Sequence, residues 1–312
     1  MNATDYESVV IAVLTYQRPD ELKLIVPRLL EQAASVPVEA TVLVIDNSPE
    51  GNARGIVEEF DAWNLHFANE VQPGISAGRN RALAESADVD LLVFIDDDEL
   101  PSKEWLRALL VQYGSCGAAA VVGPVVADFS HEPSPWIVDG EVFTRRNFAS
   151  GTRQDAAATS NLLLDLRQIR AMGLSFDERF GLSGGSDTLF TRQLVERGGS
   201  IIWCHEAIVV EPVPVGRLTR EWVLRRSFRS GNSWSRVSLV LASSSGGRFK
   251  TRIDLSTHGG ARLLGGASRF LLGLLLRNVK HRAKGLQTTA RGAGMISGAC
   301  GYVYSEYRRK TG

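Results

Sequence analysis

Three apolar runs of strand length, each ending in a cluster of polar residues, constrain this chain more than any other feature. Val9–Leu14 gives way to Thr15-Tyr16-Gln17-Arg18-Pro19, Thr41–Ile45 to Asp46-Asn47-Ser48, and Leu91–Ile95 to Asp96-Asp97-Asp98-Glu99. Continuous β-branched runs without polar alternation predict strands covered on both faces, as in a parallel sheet. Between them the period changes. Leu22, Ile25, Val26, Leu29 and Leu30 recur at helical spacing after Pro19 and Asp20, with Pro27 marking a kink, and a second helix is expected from about Asn52 to Trp63. A weaker strand around Leu65 to Ala68 leads into Gly74-Ile75-Ser76-Ala77-Gly78-Arg79-Asn80, where Ser76 is placed as the N-cap of a helix running to about Glu85. Its first turn presents backbone N–H groups with Arg79 close by. Such a β-α series predicts an α/β fold, an open and mostly parallel sheet with helices on both faces, whose ligands sit beyond the carboxyl ends of the strands. The polar clusters therefore share one rim.

The rest of the first 240 residues continues the pattern more loosely. A helix is expected from Glu104 to Tyr113, a buried strand from Ala118 to Val126, and a long functional loop over 128–158. Further strands are expected near Ser160–Asp165 and Ile201–Trp203, with helices near Arg167–Met172 and opening at Ser186-Asp187. Cys116, Cys204 and Cys300 lie far apart, so neither a disulfide framework nor a zinc site is expected, and a reducing compartment fits. Asp5 and Glu7 stand where a secretory leader would be basic, and the apolar run after them is too short for one, so secretion is not expected.

Neutral overall charge conceals a division. Residues 217–312 carry 19 Lys/Arg against Glu221, Asp254 and Glu306, leaving 16 Lys/Arg against 32 Asp/Glu in residues 1–216. An acidic body with a basic tail points to an anionic surface as the tail's partner. On a helical projection from Arg262 to Lys284, residues 262, 269, 277, 280 and 284 share an arc of roughly 80° with Gly266 and Gly273, and leucines fill the remainder. An interfacial helix needs such a pattern, and a helix docked on the body also fits it. Gly294-x-x-x-Gly298 lies in an apolar segment too short for a membrane dimer motif. The chain is accordingly divided into a catalytic domain, 1–240, and a basic amphipathic helical tail, 241–312.

The carboxylates after Ile95 carry the chemistry. Asp96 and Asp98 fall on the same side of an extended segment, so both can approach one hard cation that also binds a diphosphate. Taken in order, Thr15–Pro19, Asp46-Asn47-Ser48, Gly74–Asn80, Asp96-Asp97-Asp98 and Gly184-Gly185-Ser186-Asp187 resemble the motif set of family 2 glycosyltransferases, over residues 9 to about 235. The resemblance implies the nucleotide-diphospho-sugar transferase fold called GT-A and inversion at the anomeric carbon. By matching position it implies that Thr15, Arg18 and Asp46 surround the nucleoside, with Arg79 near the base or phosphates. Asp96 and Asp97 belong to the donor site, Asp98 and Asp96 to a Mg²⁺ or Mn²⁺ ion bridging the diphosphate, and Asp187 is the general base. Many relatives carry Glu-Asp where this chain has Ser186-Asp187, and a metal-binding His where this chain has Glu211, which is expected either to join Asp98 and Asp96 as a metal ligand or to form a rim salt bridge. His205 reads as a strand-end histidine. Arg225, Arg226 and Arg229 share a helix face with Trp222. The likeness there is to bacterial exopolysaccharide-type transferases, in which a basic helix closes over the diphosphate, so Arg226 and Arg229 join the expected donor contacts.

The expected function is transfer from a nucleotide-diphospho-sugar to a hydroxyl of a saccharide or lipid-linked acceptor, by a cytoplasmic protein peripheral on the inner face of the cell membrane. No nucleic-acid partner is expected. A nucleotide-sugar-binding protein without activity is the first alternative, and a metal-dependent nucleotidyltransferase or phosphohydrolase on a similar sheet is the second.

Overall fold

In a computed structural model the structure describes residues 6–305. The elements run, in chain order, β1 (Ser8–Thr15), α1 (Pro19–Ala34), β2 (Glu39–Asp46), α2 (Arg54–Glu58), β3 (Leu65–Asn69), α3 (Ile75–Glu85), β4 (Leu91–Asp96), β5 (Leu100–Pro101) and α4 (Trp105–Cys116). There follow β6 (Ala120–Val122), β7 (Val125–Asp128), α5 (Pro135–Asp139), β8 (Arg153–Gln154), β9 (Asn161–Asp165), α6 (Leu166–Ala171), α7 (Ser186–Glu196), β10 (Ile201–Trp203) and β11 (Val209–Pro212). Three long helices close the chain: α8 (Arg220–Leu241), α9 (Ser245–Leu275) and α10 (Val279–Ala299).

The main sheet has the order β3-β2-β1-β4-β9-β6-β10-β8. Pairings among β3, β2, β1 and β4, and between β6 and β10, are parallel, whereas β9 runs antiparallel between β4 and β6. Strand order reverses between β1 and β4, which places the topological switch point at their carboxyl ends. Both faces are buried, as the continuous apolar runs require. Ile11, Val13, Val44 and Val93 pack with Leu22, Ile25 and Leu29 of α1 and Trp105 and Leu109 of α4. Alternate residues Ala12, Ile45, Leu92 and Phe94 join Ala82 of α3 and Phe190 and Leu194 of α7 on the other side.

Departures from the sequence expectations have local causes. Pro27 lies inside α1 without ending it. Helix α2 has five residues, because the turn after β2 is tied back to Asp46 as far as Ala53 and Asp61 turns the chain with φ 43° before β3. Residues 118–126 divide into β6 and β7 at Pro124, which has no N–H to donate. Ser76 is not the N-cap of α3. Gly74 occupies that position with φ 120°, and a Cβ there would lie 3.1 Å from the Gly181 backbone, while the Ser76 hydroxyl turns to the Asp177 carbonyl and the Ser186 hydroxyl.

The chain separates into two compact units. The first comprises the chain up to Val126, Arg145–Gly181 and Ser186–Glu211; the second comprises Ala127–Thr144, Leu182–Gly185 and the chain from Pro212 on. Helix α8, assigned from sequence to the catalytic domain before residue 240, thus falls in the second unit, where it packs on α10.

That second unit is held by glycine. A Cβ on Gly231 of α8 would lie 2.0 Å from the Arg291 carbonyl oxygen, and one on Gly294 of α10 would lie 1.9 Å from that of Phe228. Gly298 makes the same close approach to Asn232, so the Gly-x-x-x-Gly pair of α10 serves a helix of its own chain. Gly259, Gly266 and Gly273 of α9, spaced by seven, meet Gly292, Thr289, Gly285 and Arg282 of α10. The expected helix over 262–284 is broken by Arg277, with φ 51°, and by Asn278, which caps α10 through the His281 N–H. Lys280 and Lys284 therefore lie on α10, where both pair with Glu141. The arc holding Gly266 and Gly273 is the packed side of α9.

Candidate active site

Register brings the polar strand ends together. Thr15 pairs with Asp46 across β1 and β2, and Leu14 pairs with Asp96 across β1 and β4, so the three polar clusters foreseen after these strands stand on adjacent strand ends. A cavity of ≈ 210 Å³ opens there, with Thr15, Arg18, Asp46, Asn52 and the apolar side chains of Leu22 and Ile56 in its wall. Of the residues expected around a nucleoside, Thr15, Arg18 and Asp46 line this one space.

Asp46 is buried, and its two carboxylate oxygens accept from the Ser48 N–H at 2.8 Å and the Ala53 N–H at 2.9 Å. Those bonds fix the turn and leave each oxygen a lone pair for a ligand. Asn47 extends the anchoring: its amide donates to the Glu70 and Gln72 carbonyls and accepts from the Gly74 N–H. Its neighbours in the Gly74–Asn80 motif are also occupied with structure. Asn80 exchanges two hydrogen bonds with the Phe176 backbone, and the buried Arg79 guanidinium lies 5.5 Å above the Phe176 ring.

At the end of β4 the carboxylates are crowded. Arg18 bridges Asp97 at 2.8 Å and Asp98 at 3.0 Å. Burial of the guanidinium opposes its charge, but the two carboxylates outweigh burial and hold Arg18 above its ordinary pKa. Asp96 is pushed up to about 6, first by burial and then by repulsion from Asp98, Asp97 and Asp187, with Arg79 acting in the opposite sense. Asp97 is raised mainly by burial, against the pull of Arg18 and of Thr15 beside it. Asp96 thus feels the charges of Arg79, of the Asp97-Asp98 pair and, least, of Asp187. Asp187 itself stands half-buried in the first turn of α7, accepting from the Thr188 N–H at 2.7 Å. Ser186, in place of a second carboxylate, is buried and bonded to Ser76 at 2.8 Å, which ties the start of α7 to α3.

Other expected residues have different surroundings. Glu211 is paired with Arg145, a residue for which sequence alone offered no signal. Glu99 is fully buried and accepts the Asp96 N–H at 3.2 Å, so it holds the turn that displays Asp96 to Asp98. Burial pushes its pKa well up, and Asp96 and Glu211 add to this while Arg145 opposes it. His205 is exposed and bonded to Asn147, at a strand end as expected. Arg226 and Arg229 lie on α8 in the second unit, with the Arg226 guanidinium 5.1 Å above the Trp222 ring.

No group of three His, Cys, Asp or Glu side chains among the described residues is arranged to hold a metal ion. A Mg²⁺-type ion bound with a diphosphate needs only one or two protein carboxylates, however, because phosphate oxygens and water complete its shell. Asp96 and Asp98 repel each other here, and Asp98 is paired with Arg18.

The open α/β sheet, with a cavity and carboxylates at its switch point, has the GT-A architecture. The model of glycosyl transferase family 2 matches residues 9–172, and the chain belongs to that family. It is 36% identical over 235 residues to the succinoglycan biosynthesis protein ExoM of Rhizobium meliloti (strain 1021), covering 73% of this chain and 74% of that protein. Among solved structures, TarS (residues 1–349) of S. aureus superposes with a TM-score of 0.54 at 13% identity, over 91% of this chain and 92% of TarS. GalNAc-T7 with UDP, GalNAc and Mn²⁺ gives a TM-score of 0.59 at 12% identity over 81% of this chain, which spans 51% of that structure. These two likenesses bear on the fold. The chain is a glycosyltransferase.

Proposed function

We propose that this enzyme is a metal-dependent, inverting transferase that moves a sugar from a nucleotide-diphospho-sugar to a hydroxyl of a saccharide or lipid-linked acceptor in exopolysaccharide synthesis. Its place would be peripheral, on the inner face of the cell membrane. The observation that carries this reading is the convergence of the Thr15-Arg18-Asp46 cavity with Asp96, and with Asp98 that Arg18 bridges, at the carboxyl ends of β1, β2 and β4. The likeness to a protein named for succinoglycan biosynthesis supports the pathway, and the GalNAc-T7 structure holding UDP and Mn²⁺ supports the donor and ion classes.

In this reading the cavity takes the nucleoside, with Asp46 accepting from the base edge and Thr15 and Arg18 beside it. Arg79 faces the phosphates. Asp98 and Asp96 would hold the Mg²⁺ or Mn²⁺ ion, which when bound neutralises charge on the departing diphosphate. Glu211 would have to leave Arg145 to join them, and Asp97 keeps Arg18 in place. Arg226 and Arg229 would add donor contacts. Asp187 takes the proton from the acceptor hydroxyl as its oxygen bonds to the anomeric carbon and the bond to the diphosphate breaks on the opposite face. One displacement inverts the centre.

A screen of nucleotide-sugars for release of nucleoside diphosphate, with and without lipid extract, tests the reading. Asp187→Asn should lower turnover ~10³-fold with donor binding kept. Unchanged turnover overturns the assignment of the base, and free phosphate instead of a glycosylated product overturns transfer.

A further inference from the structure

Helix α9 presents an uncovered apolar stripe. Phe249, Ile253, Leu264, Leu271, Leu274 and Leu275 are all exposed, Leu264 at 68% and Leu275 at 82%. At 100° per residue the six fall within an arc of about 100°, turned away from Gly259, Gly266 and Gly273. Because those glycines bring α9 flush against α10, the stripe is a ridge on a packed helix pair. Along the 31 residues of α9 it runs for some ~40 Å, and it contains no carboxylate.

Charge selects the occupant. Lys250 and Arg252 flank the stripe, within about 40° of its edges, exposed Arg277 follows at its end, and Asp254 is the one carboxylate on α9. A second copy meeting this face with its own would bring the two basic sets together. No helix among the described residues is long and apolar enough to cross a membrane. An apolar ridge on a strongly basic helix that cannot span is suited to lie in the headgroup layer of an anionic bilayer.

We propose that the Leu264-Leu271-Leu275 face of α9 docks the protein in the plane of an anionic lipid surface. The inference deepens the peripheral location proposed above and assigns it to one helix face. It does not depend on the transfer chemistry.

Co-sedimentation of the full chain with phosphatidylcholine vesicles, with and without phosphatidylglycerol, tests it. Binding should be at least ~10-fold stronger on the anionic vesicles and should weaken with added salt. The triple variant Leu264→Glu, Leu271→Glu, Leu275→Glu should abolish binding, while its circular dichroism and its release of nucleoside diphosphate with a soluble acceptor match the parent. Absence of binding to either vesicle, or equal binding by the variant, overturns the proposal. So does a parent that sediments as a dimer and a variant that sediments as a monomer, since the face would then join two copies. Failure of the transfer reading looks different: nucleoside diphosphate release is absent from the parent whether or not vesicles bind it.

Discussion

The two units solve the same problem, bringing chain segments close, by opposite means. In the first, polar side chains do the joining: Asp46, Asn47, Asn80 and Glu99 are buried or half-buried and accept or donate to backbone groups around the sheet rim. In the second, side chains are withdrawn, and Gly231, Gly294 and Gly298 let helix backbones touch. Side-chain anchoring leaves lone pairs and unbalanced charge at the rim, which a ligand can use. Backbone contact leaves little room for such groups, and the buried Asn232 and Ser235 of α8 are spent on bonds to Ser297 and to the Tyr302 and Met295 carbonyls.

The difference can be broken most strongly in the second unit. Gly231→Leu should cost more than ~3 kcal/mol and lower the denaturation midpoint sharply, because the added atoms meet the Arg291 carbonyl rather than a side chain that can turn aside. A small change would refute backbone contact between α8 and α10.

Next comes the charge stored at the rim. Asp96 has a folded pKa of about 6 against an ordinary 3.8, so the folded chain holds this proton at higher pH than the unfolded one. Its contribution to stability is fully present below about 3.8 and is lost as pH rises through about 6, a loss on the order of 2–3 kcal/mol. Chemical denaturation in chelator across this range should show stability falling with pH. Asp96→Asn should flatten the trend, leaving the part due to Glu99 and Asp97, whose pKa values are also raised.

Removing an anchor without crowding should cost less. Asp46→Ala leaves the Ser48 and Ala53 N–H groups without their acceptor, a loss of ~2 kcal/mol by thermal denaturation, together with loss of nucleotide binding. The smallest effect has the opposite sign. Gly265 has nothing within 4 Å of an added Cβ, so Gly265→Ala should stabilise α9 by ~0.5–1 kcal/mol. Destabilisation there would mean that the outer side of α9 is also covered.

Much of the first unit could be read from sequence because a doubly covered strand needs an uninterrupted apolar run, and β1, β2 and β4 have one each. Their ends then place Thr15, Asp46 and Asp96 side by side with no further information. Partners distant in the chain could not be read so. Arg145 reaches Glu211 from a segment without periodicity, and Ser76 looked like a cap because its bond to Ser186 spans 110 positions. In the tail, a helical projection has no means of registering the reversal at Arg277, so residues on two helices were drawn on one. Gly266 and Gly273, placed in the basic arc by the projection, belong to a packing seam against α10.

The central claim is that the rim carboxylates hold a nucleoside diphosphate through a divalent ion. Calorimetric titration of nucleoside diphosphate into the parent and into Asp98→Ala, each with Mn²⁺ and with chelator, tests it most directly. The parent should bind at least ~10-fold more tightly with Mn²⁺, and Asp98→Ala should bind equally weakly in both conditions. An undiminished gain from Mn²⁺ in Asp98→Ala would contradict the account.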